Sequence, residues 1–135
     1  MSALDVLAIE DNPGDVRLIR EALEEDDRVR VRVAWDGAEA IDMLQHETRP
    51  DLILLDINLP SVGGLELLAR MREDPELANI PVVVFTSSRL VEDVRDAEGS
   101  GAAMFVVKPF DVLEYLATLR RIRRRFVDEI APASG

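Results

Sequence analysis

Five short apolar runs alternate along the chain with longer segments whose apolar residues recur at helical spacing. The runs indicate strands at residues 4–9, 29–35, 52–56, 80–85 and 102–107. Most of these runs are continuous, as in strands of a parallel sheet that is covered by helices on both faces. Strict alternation of strand and helix predicts an α/β fold, a doubly wound sheet of five parallel strands built from right-handed crossovers. A chain of 135 residues suits one such domain.

Five helices are predicted between and after these strands. They cover residues 15–25, a segment that Asp36 caps, residues 65–72, residues 90–98 and a long final helix. The second strand alternates valine with arginine, which is typical of an edge strand with one exposed face. The final helix is predicted to carry one apolar stripe, formed by Val112, Leu116, Leu119, Ile122, Phe126 and Ile130.

The charge balance restricts the partners that this chain can have. Acidic residues number 27 against 16 basic ones, which gives a net charge of −11, and Lys108 is the only lysine. We therefore expect no binding to nucleic acid or to an anionic membrane. The arginine-rich run at residues 120–125 is expected to pair with acidic neighbours instead. The acidity is typical of a salt-adapted cytoplasmic protein, or alternatively of a soluble surface encoded by a GC-rich genome.

Other features narrow the class of protein. Cysteine is absent, which excludes disulfides, thiolate nucleophiles and zinc–cysteine sites. No apolar run approaches the roughly 20 residues of a membrane span, and the first residues lack the pattern of a secretory signal. We expect a cytoplasmic protein with one domain at residues 1–130 and a disordered tail at residues 131–135.

Polar side chains follow four of the predicted strands at the point where each strand ends. Glu10 and Asp11 follow the first strand, Asp56 ends the third, Thr86 follows the fourth and Lys108 follows the fifth. Functional groups of a parallel α/β sheet collect at the carboxyl ends of its strands. We therefore expect these five side chains to lie together at one edge.

Three carboxylates in a small space repel one another, and burial adds to the cost of ionising them. A hard divalent cation neutralises such a cluster. Mg²⁺ binds through one or two carboxylates, keeps several waters and accepts phosphate oxygens. The main-chain carbonyl of Asn58, just after Asp56, would complete the ligand set. The sequence therefore predicts a magnesium site.

The same residues favour phosphoryl transfer. The only histidine, His46, lies in a different region, so a Ser-His-Asp triad is not available at these strand ends. A carboxylate beside Mg²⁺ can accept a phosphoryl group as an acyl phosphate. Asp56 is the best acceptor because it ends a central strand. Lys108 would supply positive charge, and the Thr86 hydroxyl would supply a hydrogen bond to a phosphoryl oxygen.

The chain resembles the receiver domain of two-component response regulators. The resemblance rests on Glu10-Asp11, on Asp56 in LLDINLP, on Gly63-Gly64 after Pro60, on Thr86 in VVVFTSS and on Lys108-Pro109-Phe110. It covers essentially the whole chain and implies the flavodoxin-like strand order 2-1-3-4-5. The stretches EDNPGDVRLIREAL and EDPELANIPVVVFTSS are similar to single-domain regulators that are found beside phytochrome-like and other sensor histidine kinases.

This resemblance implies a role for each matching residue. Asp56 is phosphorylated, Asp11 and Asp56 coordinate Mg²⁺ directly with the Asn58 carbonyl, and Glu10 acts mostly through water. Glu10 replaces the commoner aspartate, which puts its water-mediated geometry in doubt but not metal binding.

Switching roles are implied as well. Thr86 moves toward the phosphoryl group, and Lys108 pairs with it. Phe105 is the switch aromatic that turns inward when Thr86 shifts; as a phenylalanine in place of the frequent tyrosine, it has no hydroxyl to use there. Pro109 is expected to follow a cis peptide bond that would help to aim Lys108.

The implied function is that of a phosphoacceptor switch, not an enzyme acting on other substrates. Its partners would be a sensor histidine kinase and a target protein, a phosphotransfer protein or a second copy as a homodimer. Phosphorylation would alter a surface on the fourth helix, fifth strand and fifth helix.

Three other functions compete with this one. An aspartyl phosphatase usually needs a second acid two residues after its nucleophile, and that position is Asn58. A flavodoxin-like cofactor binder needs a phosphate-cradling loop after the first strand, where Glu10 and Asp11 would repel phosphate. A receiver that is never phosphorylated is disfavoured because all five functional positions are present.

Overall fold

A parallel five-stranded sheet forms the centre of the molecule. The computed structural model describes residues 4–87, 99 and 101–130. The strands are β1 (Leu4–Ile9), β2 (Val29–Ala34), β3 (Leu52–Leu55), β4 (Val82–Thr86) and β5 (Met104–Val107), hydrogen-bonded in the order β2-β1-β3-β4-β5. The doubly wound fold and the order 2-1-3-4-5 are confirmed. β2 is an edge strand, as its alternation of valine and arginine predicts.

Four helices lie within the described residues: α1 (Pro13–Leu23), α2 (Gly37–His46), α3 (Gly64–Glu73) and α4 (Val112–Ile130). The helix predicted at residues 90–98 and the tail predicted at 131–135 lie outside them, so α4 is the fifth helix of the predicted series. Local caps explain where two helices begin. Asn12 accepts a hydrogen bond from the Asp15 amide before α1, and Asp36, as predicted, accepts one from the Glu39 amide before α2.

Two apolar layers bury the sheet between the helices. Ile19 of α1 and Leu119 of α4 belong to the layer on one face, while Leu44 of α2 and Leu68 of α3 belong to the layer on the other. Every residue of β3 and β4 is buried. The rigid centre therefore fixes the positions of the residues that follow these two strands.

The apolar stripe of α4 differs from the prediction at its beginning. Leu116, Leu119, Ile122 and Phe126 are buried, but Val112 is 53% exposed. Val112 is the first residue of the helix, at the carboxyl edge of the sheet, so the packed stripe begins one turn later, at the buried Tyr115. The side chain of Ile130 lies outside the described part.

Three arginines of α4, Arg120, Arg123 and Arg125, contact acidic residues of the same chain, as predicted. Arg120 Nη2 lies 2.7 Å from Glu25 Oε1. Arg123 Nη1 donates to the Ala22 carbonyl and also contacts Glu25. These bonds tie α4 to the end of α1. Among the described residues, no helix is both long and apolar enough to cross a membrane.

Candidate functional site

The carboxyl edge of the sheet collects the predicted functional residues. Glu10 directly follows β1, Asp56 follows β3, Thr86 ends β4 and Lys108 follows β5. All four side chains are buried. In the described part of the chain, Thr118 is the one other polar or charged residue that is buried. Burial of three charged groups at one place requires that they be paired.

Asp56 is bonded through both of its carboxylate oxygens. Oδ1 accepts hydrogen bonds from the Thr86 hydroxyl at 2.9 Å and from the Asn58 amide at 3.0 Å. Oδ2 accepts one from Lys108 Nζ at 2.9 Å. The side chain of Asn58 is exposed at the surface, with its Nδ2 3.5 Å from the Thr86 hydroxyl oxygen. The Asp56 carboxylate is thus held in one orientation.

Lys108 is surrounded by carboxylates. Besides Asp56, its Nζ contacts Glu10 Oε1 at 2.5 Å and Asp15 Oδ2 at 3.3 Å. The ammonium also lies 5.9 Å from the centre of the Phe85 ring. One ammonium therefore contacts three carboxyl groups.

The pKa values follow from this arrangement. Burial raises the pKa of Glu10 to about 8, against the opposing effect of Lys108. Burial alone would raise the pKa of Asp56 too, but the Asn58 amide and the Lys108 charge hold that pKa below its usual value. The Lys108 pKa is raised, because the Glu10 and Asp56 carboxylates outweigh the effect of burial. Asp56 is therefore an ionised carboxylate and Lys108 an ammonium at neutral pH.

The three acids form a group that suits a divalent cation. One carboxylate oxygen from each of Glu10, Asp11 and Asp56 lies within 4.8 Å of the others. Asp11 is exposed, so the group opens to solvent on that side. Hard oxygen donors with an open side fit Mg²⁺, which keeps part of its hydration shell.

A glycine shapes the loop after Asp56. A Cβ atom on Gly64 would lie 2.5 Å from Ile57 Cα and 2.6 Å from the Asp56 carbonyl oxygen. The same addition to Gly63 meets nothing within 4 Å. Only Gly64 of the pair is thus required for the close approach of α3 to the loop after Asp56.

The switch residues predicted on β5 and after it are half-buried. Phe105 packs against the layer formed with α2 and α3, and Pro109 follows Lys108 in the loop. The Lys108–Pro109 peptide bond is trans, so the predicted cis bond is wrong. A trans bond is the lower-energy form even before proline, and here carboxylates aim the Lys108 side chain.

Two contacts of the site escaped the sequence analysis. Asp15 contacts Lys108, and the Tyr115 hydroxyl donates to Asp15 Oδ1 at 2.6 Å. Asp15 lies in the first turn of α1, only four residues after Asp11, and this closeness in sequence was the available signal. Tyr115 had no such signal, because its distance to Asp15 depends on how α4 packs against α1.

Comparisons with known proteins agree with this geometry. A family model described as the response regulator receiver domain matches residues 6–120. The polar-differentiation response regulator DivK of Brucella anthropi is 36% identical over 115 residues, which are 85% of this chain and 92% of that protein.

Solved structures of similar length have the same fold. The phosphorylated cyanobacterial phytochrome response regulator RcpA superposes with a TM-score of 0.91 at 32% identity, over 98% of this chain and all of that one. The Mn²⁺-bound form of the response regulator Rcp1 gives 0.84 at 28% identity, over 97% and 96% of the two chains. From the family match and these relatives, the chain belongs to the response regulator receiver domains, the phosphoacceptor domains of two-component signalling.

Proposed function

We propose that this protein accepts a phosphoryl group from a sensor histidine kinase onto Asp56, in a Mg²⁺-dependent reaction. The observation that carries the proposal is the setting of Asp56. It is a buried, ionised carboxylate at the end of a central strand, with a hydroxyl on one oxygen and an ammonium on the other. We place the reaction in the cytoplasm and assign it to a domain at residues 1–130.

The transfer step is a displacement at phosphorus. An Asp56 oxygen forms a bond to the phosphorus of a phosphohistidine, and the N–P bond breaks with its electron pair going to the imidazole. Lys108 supplies positive charge beside Asp56 Oδ2, and the Thr86 hydroxyl is within reach of the oxygens of the new group. The product is an acyl phosphate, which water later hydrolyses to restore the carboxylate.

Glu10, Asp11 and Asp56 would hold the cation, and the Asn58 carbonyl is proposed as a further ligand. When bound, Mg²⁺ supplies charge neutralisation and orients the phosphoryl oxygens. The acidic group described above supports this assignment. The manganese in the Rcp1 structure is a second line of support.

Phosphorylation would then change an interaction surface. Thr86 would move toward the phosphoryl group, and Phe105 would turn inward. This surface is assigned to the helix predicted at 90–98, to β5 and to α4. Phe110, two residues before α4, and Val112 and Leu113, in its first turn, support it, because they are 92%, 53% and 75% exposed. An apolar cluster of this kind marks a protein contact more often than a site for a small polar molecule. Its partner would be a target protein, a phosphotransfer protein or a second copy of this chain.

Intact-mass measurement tests the chemistry. The protein is incubated with phosphoramidate or acetyl phosphate, with and without Mg²⁺, as wild type and as Asp56→Asn. We expect a single phosphoryl adduct that requires Mg²⁺ and is absent from the variant. Asp27→Asn removes the same charge from an exposed carboxylate and serves as the matched control, so it should form the adduct normally.

Three results would overturn the proposal. Absence of any adduct on the wild type in the presence of Mg²⁺ would contradict the acceptor role of Asp56. An adduct that persists in Asp56→Asn would place the acceptor elsewhere. Sustained turnover of a generic phosphomonoester, lost in Asp56→Asn, would indicate a phosphatase instead.

A further inference from the structure

Asp15 connects the Lys108 ammonium to the last helix. Its Oδ2 lies 3.3 Å from Lys108 Nζ, and its Oδ1 accepts the hydrogen bond from Tyr115, 100 residues later in the chain. Asp15 belongs to the first turn of α1, whereas Tyr115 is buried in α4. One carboxylate thus contacts the site with one oxygen and α4 with the other.

Tyr115 holds Asp15 in this position. Its ring packs edge-on against Phe85, with 5.1 Å between the ring centres, and Phe85 directly precedes Thr86 in β4. Burial and the Asp15 carboxylate raise the pKa of Tyr115, so its hydroxyl remains a donor. On the other side, the Asp15 amide donates to Asn12 Oδ1. The carboxylate therefore has little freedom to leave Lys108.

The single ammonium of Lys108 is shared among three carboxyl groups. Glu10 and Asp56 accept hydrogen bonds from it, and Asp15 lies slightly farther away. Charges at such distances interact strongly where solvent is largely excluded. A phosphoryl group on Asp56 adds negative charge and must draw the same ammonium toward itself while Asp15 attracts it in another direction.

We propose that Asp15 is a positioning residue that competes with the phosphoryl group for Lys108 and thereby limits the extent of phosphorylation. The proposal rests on the proposed function of Asp56. Asp15→Asn removes the charge but keeps an oxygen that can accept from Tyr115. Lys108 then loses the attraction of the Asp15 charge, and the phosphorylated fraction rises. Tyr115→Phe releases Asp15 and acts in the same direction with a smaller effect.

Lys108 is the only lysine, so the first test observes it directly. Protein labelled with ¹⁵N-lysine carries a single side-chain ammonium signal in NMR spectra. Asp15→Asn is expected to shift this signal and to speed the exchange of the ammonium protons with water by about threefold or more. Tyr115→Phe is expected to cause a smaller change of the same kind. Glu21→Gln, an equal charge change at an exposed position of α1, should leave the signal in place. A signal unchanged in Asp15→Asn would overturn the proposal.

The second test measures phosphorylation with phosphoramidate and Mg²⁺ under conditions that phosphorylate about a tenth of the wild type. Asp15→Asn is expected to raise the ratio of phosphorylated to unphosphorylated protein about threefold or more. In a Lys108→Met background, the same substitution should have a much smaller effect. An unchanged ratio, or an equal increase in both backgrounds, would overturn the competition. Failure of the wild type to form any adduct would instead overturn the proposed function, and the lysine signal distinguishes the two failures because it requires no phosphorylation.

Discussion

At the scale of single residues, Lys108 neutralises a cluster that would otherwise repel itself. Glu10, Asp56 and Asp15 all lie within 3.3 Å of its ammonium. A buried ion pair contributes little net stability on average, but removing one partner leaves the other charges buried without compensation. The cost of losing Lys108 therefore exceeds the value of the pair itself.

Lys108→Met is expected to lower the free energy of unfolding by about 3 kcal/mol at neutral pH without added metal. Urea unfolding followed by circular dichroism measures the change. Mg²⁺ should recover part of the loss, because it supplies positive charge to the same carboxylates. Arg17→Gln, which removes a cation from an exposed position of α1, is the control. Equal stability of Lys108→Met and wild type would contradict this account.

Asp26 pairs with a residue that is close to it in sequence. The Arg28 side chain donates to both of its carboxylate oxygens, and the Arg28 amide donates to Oδ1. These bonds lower the pKa of Asp26 to about 2, from an ordinary value of 3.8. A lowered pKa in the folded state means that this contribution to stability is complete above pH 3.8 and is lost as the pH falls toward 2.

Arg28→Gln should raise the pKa of Asp26 part of the way to its ordinary value, since the main-chain amide of residue 28 still donates to Oδ1. The loss of stability at neutral pH is expected to be about 1 kcal/mol, because the pair is partly exposed. Titration of the Asp26 carboxyl carbon by NMR measures the pKa. Arg20→Gln, at an exposed pair with Glu24, should leave it unchanged. An Asp26 pKa that stays near 2 in Arg28→Gln would rule out the arginine as its cause.

At the scale of elements, the approach of α3 to the end of β3 determines the loop that holds Asp56. Gly64 allows this approach, because a Cβ there would overlap main-chain atoms of Ile57 and Asp56. Main-chain atoms cannot move aside as the end of a flexible side chain can, so the loop itself must shift. The hydrogen bond from the Asn58 amide to Asp56 lies in that loop.

Gly64→Ala is expected to destabilise the fold by about 2 kcal/mol and to lower the rate of phosphorylation. Gly63→Ala is a matched control one residue away, and it should be nearly neutral because the added methyl group meets no neighbour. Urea unfolding and the rate of adduct formation give the two measurements. Equal behaviour of the two alanine variants would show that the close approach does not constrain the loop.

The elements also explain which features were predictable. Four of the strands are nearly continuous apolar runs, and the meeting of Glu10, Asp56, Thr86 and Lys108 at one edge was predictable because each lies at the end of a strand. Contacts made between elements have no such local signal. The bond from Tyr115 to Asp15 depends on the packing of α4 against α1. The exposure of Val112 depends on where α4 extends past the sheet.

At the scale of the whole molecule, negative charge remains after the arginines are paired. Arg28, Arg32, Arg120 and Arg123 all contact carboxylates, as do several other arginines of the described chain. The net charge is nevertheless −11. Excess charge of one sign repels itself more strongly in the compact state than in the unfolded chain. Added salt weakens both this repulsion and the attraction within surface ion pairs. Because carboxylates are in excess, weakening the repulsion has the larger effect on stability.

Raising KCl from 0.1 to 1 M shortens the screening length from about 10 Å to about 3 Å. The free energy of unfolding is then expected to increase by on the order of 1 kcal/mol, measured by urea unfolding at each salt concentration. Chloride is used because sulfate would stabilise the fold by exclusion from its surface. Replacing two exposed acids, as in Asp27→Lys with Glu73→Lys, should flatten this dependence. A midpoint that falls with salt would mean that the ion pairs, rather than the excess carboxylates, dominate the electrostatic energy of this acidic domain.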